Sequence, residues 1–248
     1  LKKKKGMKIM SLKTKVNTLT ASFKEAVDKY KKDKAALQES KMYSAEYIAA
    51  EIAKLDTALN TLVADSNAML QTIFQESIDE IKSNKAGGSD FESKLSNALT
   101  FINALGDRLT DETAFALVQP FFGDYQTMHR LSMVLAGKQG IPATMLAVSG
   151  YDNAIKLLQN IRTKYRGMFN SFRNDAGMLG LVTNQYLMTE IDAYEAYIAR
   201  LHEYLSASAD DAEKVVANHQ TFNLGLGESA DNTSVVTAVD NSEPNQGV

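Results

Sequence analysis

Apolar side chains recur at alternating steps of three and four along Ile9, Leu12, Val16, Leu19, Phe23, Ala26 and Tyr30, and after a polar skip at Asp33 the series resumes at Leu37. A second series runs through Ile48, Ile52, Leu55, Leu59 and Leu62, skips at Ser66, and resumes at Met69 and Ile73. This is the seven-residue period of a helix seam, which gathers each series onto one stripe. No Gly or Pro interrupts the chain between Ile9 and Lys82. A helix with one apolar side left in water gains little from folding, so each stripe requires another helix to cover it.

The charges beside the stripes say which helix does the covering. With Ile9 at heptad position a and Leu12 at d, Lys8, Lys15 and Lys29 fall at g, and Lys13 and Lys34 at e. A parallel pair of identical helices would set lysine against lysine, which argues against that arrangement. On the second stripe Glu51 and Asp65 fall at g and Asp56 at e. An antiparallel hairpin centred on Ser40 lets Lys29 face Glu51 and Lys15 face Asp65, with the turn at Glu39 to Ser44 and Ser40 or Ser44 as the N-cap of the second helix. Each exposed pair contributes only ~0.2–1 kcal/mol, so the pairs select register while the apolar seam supplies stability. The competing arrangement is one unbroken rod, on the order of 110 Å long at 1.5 Å per residue.

After Lys82 the pattern breaks up. Ser83 to Asp90 contains Gly87 and Gly88 and reads as a linker, with Ser89 and Glu92 forming a capping box. The next helix carries Phe91, Leu95, Leu99, Ile102 and Leu105 and ends at Gly106. Thr110 caps a short helix that Pro120 stops, and Asp124 caps another that closes at Gly137. Pro142 suits the first turn of a short helix to Val148. A longer helix is expected after Gly150, with its stripe on Ile155, Leu158, Ile161, Tyr165, Met168 and Phe172. Asn174 to Gly180 reads as a loop, after which Thr183 or Asn184 caps a last helix through Leu187, Ile191, Tyr194, Ile198, Leu201 and Leu205. That helix either closes the bundle or packs on the first hairpin. From about Ser206 the apolar content is too low to offset the entropy of ordering, so a flexible acidic tail is expected.

The fold class is therefore all-α: a coiled-coil-like hairpin or rod, a small helical bundle and a disordered acidic tail. The expected divisions are 1–82, a linker at 83–90, a bundle at 91–206 and a tail at 207–248.

Composition supports this and narrows the chemistry. Three Pro and no Trp in 248 residues suit helices better than a β-sandwich. The absence of Cys removes disulfides, a thiolate nucleophile and Cys-ligated metal centres. Charge is unevenly placed: residues 1–34 hold twelve lysines against three acids, while residues 206–248 hold seven acids against one lysine. No apolar run approaches the ~20 residues that span a bilayer. Lys2 to Lys5 imitate the start of a signal peptide, but Lys8, Lys13 and Lys15 interrupt the apolar segment that should follow, so none is expected. The expected location is cytoplasmic or within an assembled particle.

Catalytic and cofactor patterns are missing. A di-metal bundle needs Glu-x-x-His, and neither Glu190 nor Glu195 has a His three residues on. His129, His202 and His219 have no nucleophile and acid nearby in sequence, and His129, followed by Arg130, reads as a surface or boundary residue. Gly137-Lys138 resembles the end of a phosphate loop, but Ser132 stands where its first Gly belongs. We therefore expect no catalytic residue, no metal and no cofactor. The remaining signal is the lysine head, where Lys2, Lys3, Lys4, Lys5, Lys8, Lys13 and Lys15 are the candidate partner contacts. Against phosphates such contacts are sequence-independent and salt-dependent. The plainer reading, a solvated helix end, outweighs that one.

The leading expectation is a non-enzymatic assembly protein working through helix–helix oligomerisation and oppositely charged ends. A scaffold or minor structural component of a particle, such as a phage virion, has this layout, an analogy of architecture alone. The alternative is a sequence-independent nucleic-acid or polyanion binder.

Overall fold

The computed structural model describes residues 11–85, 90–171 and 178–206, with the backbone alone for 178–181. Its α-helices are α1 (Leu12–Glu39), α2 (Ala45–Ser83), α3 (Phe91–Leu105), α4 (Asp111–Val118), α5 (Tyr125–Leu135), α6 (Pro142–Lys164) and α7 (Met178–Leu205). The described residues include no strand, so the chain is all-α. No helix among them is long and apolar enough to cross a membrane. The lysines before Ser11, the Ser89 cap, Phe172, most of the Asn174–Gly180 loop and the acidic tail lie outside the described residues.

Helices α1 and α2 form the antiparallel hairpin and not the rod. The turn stands where the sequence puts it: α1 ends at Glu39, and the Ser44 side chain accepts a hydrogen bond from Tyr47 N, capping α2. The register differs from expectation. Lys34 pairs with Asp56 at 2.8 Å and Lys15 with Glu76 at 3.2 Å, while Glu51 turns to Lys54 on its own helix. Both cross-pairs are equidistant from about position 45 instead of Ser40. Residues 40–44 lie outside both helices. That connection pushes every residue of α2 further along its partner than a hairpin folded about Ser40 allows.

The stripes are covered most fully near the open end of the hairpin. Leu12, Val16, Phe23 and Val27 are buried on α1. On α2 the buried face spreads beyond the expected line: Leu59, Ser66 and Ile73 on it are buried but Met69 is 58% exposed, while Val63, Leu70 and Phe74 beside it are buried. The reason is a third layer. Helix α6 and the turn Met168–Asn170 also pack on α2, widening the face that must be apolar. Phe23 and Phe169 meet there at 4.5 Å between ring centroids.

Helix α6 runs unbroken through Gly150, where the sequence suggested a boundary. A Cβ at Gly150 would lie 2.3 Å from Leu201 Cδ1, and the Tyr197 hydroxyl donates to the Gly150 carbonyl at 3.0 Å. This glycine marks the close approach of α6 and α7, a use of its missing side chain other than turning the chain. The helix stops at Lys164, yet Tyr165 and Met168 remain buried through the following turn. Helix α7 starts at Met178, ahead of the expected cap at Thr183 or Asn184. The single Gly180 costs a helix only about 1 kcal/mol, too little to stop it.

Two larger cores result. One joins α1, α2, α6 and α7 around Phe23, Leu70, Phe74, Leu158, Leu187 and Leu201. The other joins α3, α4, α5 and the start of α6 around Ile102, Phe121, Met128 and Leu131. Buried Asp111 fixes α6 to α4. Its carboxylate accepts from Ala143 N, Thr144 N and the Thr144 hydroxyl at 2.7–2.8 Å, satisfying free N–H groups at the start of α6.

Candidate functional site

Beyond the third layer the hairpin continues as an arm. From Asp28 to Ala58, thirty-one consecutive residues, no residue is buried. The stripes persist there as half-buried Tyr30, Leu37, Ile48, Ile52 and Leu55. At the tip Met42 is 89% exposed, and Tyr43 and Tyr47 are about half exposed with ring centroids 4.8 Å apart. A polar clasp holds the arm's two helices together. Tyr30 donates its hydroxyl proton to Asp56, and the Lys34 ammonium lies 2.8 Å from both oxygens. Those bonds, to Asp56 first and then to Tyr30, hold Lys34 above its ordinary pKa.

Of the lysine head, Lys13 and Lys15 are among the described residues, and both face carboxylates. Lys13 Nζ lies 2.6 Å from Asp192, and its backbone N–H donates to Glu195 at 3.0 Å. Glu195 thus caps the start of α1 from a different helix, where a negative charge is favoured by the helix dipole. Lys15 meets Glu76. Lys2, Lys3, Lys4, Lys5 and Lys8 lie outside the described residues.

One cluster was not visible in the sequence. His129 on α5 places Nδ1 2.8 Å from Asp152 on α6, and Tyr125 donates to the same carboxylate at 3.2 Å while stacking on the imidazole. Burial, reinforced by the Asp152 charge, raises the Tyr125 pKa. Asp152 lies 23 residues from His129, so only the packing of α5 on α6 joins them. The nearby hint was the Tyr125–His129–Ser132 spacing on one helix face. A carboxylate at Nδ1 fixes which ring nitrogen carries the proton. Hydrolysis also needs a nucleophile at Nε2, and the Ser132 hydroxyl instead donates to the His129 carbonyl at 2.7 Å. The cluster works as a polar staple between α5 and α6. Glu190 is paired with Lys164. Among the described residues no three His, Asp or Glu side chains converge as a metal site would require.

Comparison with family models, with curated proteins and with solved structures found no match.

The most distinctive surface is therefore the arm. Its α1 side from Asp28 to Glu39 carries four lysines against three acids, and its α2 side from Ala45 to Ala58 carries three acids against one lysine.

Proposed function

We propose that this chain is a non-enzymatic assembly protein whose hairpin arm joins it to further copies of itself, as a scaffold-like or minor structural component of a particle such as a phage virion. The observation that carries the reading is the arm: thirty-one residues that keep an apolar stripe and bury none of it fully. Two helices of this length are marginal in water by themselves, so the arm gains most by finding a second apolar face. A second copy supplies one. In a two-fold arrangement each residue that touches a partner is itself touched by the equivalent one. The lysine-richer helix of one arm then lies along the acidic helix of the other, avoiding the lysine-on-lysine contact of a parallel pairing.

A charge swap tests this. Lys29→Glu, Lys31→Glu and Lys32→Glu together make both helices of the arm acidic, and Glu46→Lys with Glu51→Lys makes both basic. Each variant alone is expected to sediment as a monomer, and an equimolar mixture to recover the wild-type association. A wild type that stays monomeric up to ~100 µM, with a Kd weaker than that, overturns the proposal.

The lysine excess in residues 1–34 motivates the alternative, a polyanion binder. With Lys13 and Lys15 engaged by carboxylates, Lys2 to Lys5 and Lys8 would make its phosphate contacts. Titration with duplex DNA at several salt concentrations decides it, since such binding weakens steeply as salt rises. Absence of binding at low salt removes it.

A further inference from the structure

A groove of about 600 Å³ lies between α2 and the end of α6, outside the arm. Among the described residues its lining is Gln71, Gln159, Arg162, Thr163 and Arg166, with no carboxylate. Arg162 is half-buried and held by neutral groups alone. Its Nε donates to Gln71 Oε1 at 3.1 Å and its Nη1 to the Gln75 carboxamide oxygen, while Gln71 Nε2 donates to the Arg162 carbonyl at 3.3 Å. A guanidinium carries five N–H groups, so these bonds leave the two on Nη2 unspent. Nη2 is not among the buried atoms left without a partner, so it keeps contact with solvent. Arg166, four residues further along α6, is exposed, and its side chain makes no bond among the described residues. The side chains of Gln159 and Thr163 donate none there. Lys164, the third cation of this helix end, is paired with Glu190, whereas neither arginine has an ion pair among the described residues. Asp79, one turn beyond Gln75 on α2, accepts from the Gln75 amide at 2.9 Å.

We infer that this groove is a binding site for a phosphate group, as the free ion or as a small phosphate monoester. The C-terminal end of a helix favours a cation, which accounts for positive charge here but not for two guanidiniums left without an acid in one groove. Like charges four residues apart on a helix repel, and an anion bridging them removes that cost. A guanidinium presents a planar fork of donors that matches the oxygens of a phosphate. Arg162 is already fixed by Gln71 and Gln75, so it loses little freedom when the anion arrives. Gln159 and Thr163 supply further neutral donors from the same stretch of α6. The volume falls in the range of small-molecule sites and exceeds what a bare phosphate fills, which leaves space for the organic part of a monoester. The site is separate from the arm and from the lysines of residues 1–8, so it stands apart from both readings above.

The probe is sodium phosphate, titrated into the full chain by calorimetry at neutral pH and fixed ionic strength, with sodium chloride as the control. Saturable binding with a Kd of roughly 0.1–3 mM is expected for a ligand this small, with none for chloride. Arg166→Gln, which breaks no internal bond, is expected to weaken binding about tenfold. Arg166→Lys keeps the charge but loses the fork, and is expected to weaken it several-fold. Lys94→Gln removes one charge from α3 and leaves the Kd unchanged. Replacing Lys2 to Lys5 and Lys8 by Gln also leaves it unchanged; loss of binding in that variant places the phosphate on the lysine head and overturns the inference. Glycerol 3-phosphate, as a second probe, distinguishes the sources. Tighter binding than phosphate means that the groove serves a monoester, and equal or weaker binding means that it serves the free ion. Absence of saturable phosphate binding up to ~10 mM, or binding that Arg166→Gln leaves intact, overturns the inference.

Discussion

The two ends of the hairpin are built from the same pattern and have different fates. Val16 and Phe23 lie on one stripe with Tyr30 and Leu37, yet the first two are buried and the last two remain half exposed. On α2 the same contrast separates Leu70 and Phe74 from Ile48 and Ile52. Two helices bury only a narrow line between them. Where α6, α7 and the Met168–Asn170 turn add a third layer the line becomes a core, and where that layer stops the hairpin becomes an arm. An amphipathic stripe says which face needs covering, and the neighbouring helices decide how fully it is covered.

That contrast sets the sizes of mutational effects. Phe23→Ala, in the three-layer region, is expected to cost about 3–5 kcal/mol in denaturant unfolding, whereas Leu37→Ala in the arm costs about 1 kcal/mol or less. Equal costs would mean that the arm is packed as tightly as the base. Asp111→Ala strands two backbone N–H groups at the start of α6, while the Thr144 hydroxyl keeps the Asp111 backbone carbonyl as its acceptor, and a loss of about 2–4 kcal/mol is expected.

Alkaline pH separates the regions in another way. Burial pushes the Tyr197 phenol up to about 12, against about 10 in an unfolded chain. Between those values the unfolded chain releases a proton that the folded one keeps. The contribution is therefore full below pH ~10 and is lost as pH rises toward 12, by up to about 2–3 kcal/mol. Urea midpoints measured from pH 9 to 12 should fall, and Tyr197→Phe should flatten part of that fall. Gly150→Ala gains about 1 kcal/mol of helix propensity but forces a methyl onto buried Leu201, for an expected net loss of about 1–2 kcal/mol in thermal or urea unfolding. The smallest effect belongs to the arm's clasp: Lys34→Gln should change stability by no more than about 1 kcal/mol, because the pair is partly exposed. A larger loss would show that the clasp, and not the apolar line, holds the arm together.

The sequence by itself determined the helical class, the caps at Thr110 and Asp124, the α1 stripe, and the place a turn would take if the hairpin formed, because caps and periodicity are local and each leaves its mark within a few residues; that the hairpin forms in place of the rod, with Ser44 as the cap of α2, was decided by the structure. Tertiary structure decided the hairpin register, the spread of α2's buried face beyond its stripe with Met69 left exposed, the passage of α6 through Gly150 and the meeting of His129 with Asp152. Those depend on which surfaces a third helix reaches. A single helix's pattern says that one face is apolar, but it carries no record of the neighbour's position, so glycine for a turn and glycine for a close approach look alike until α7 is in place.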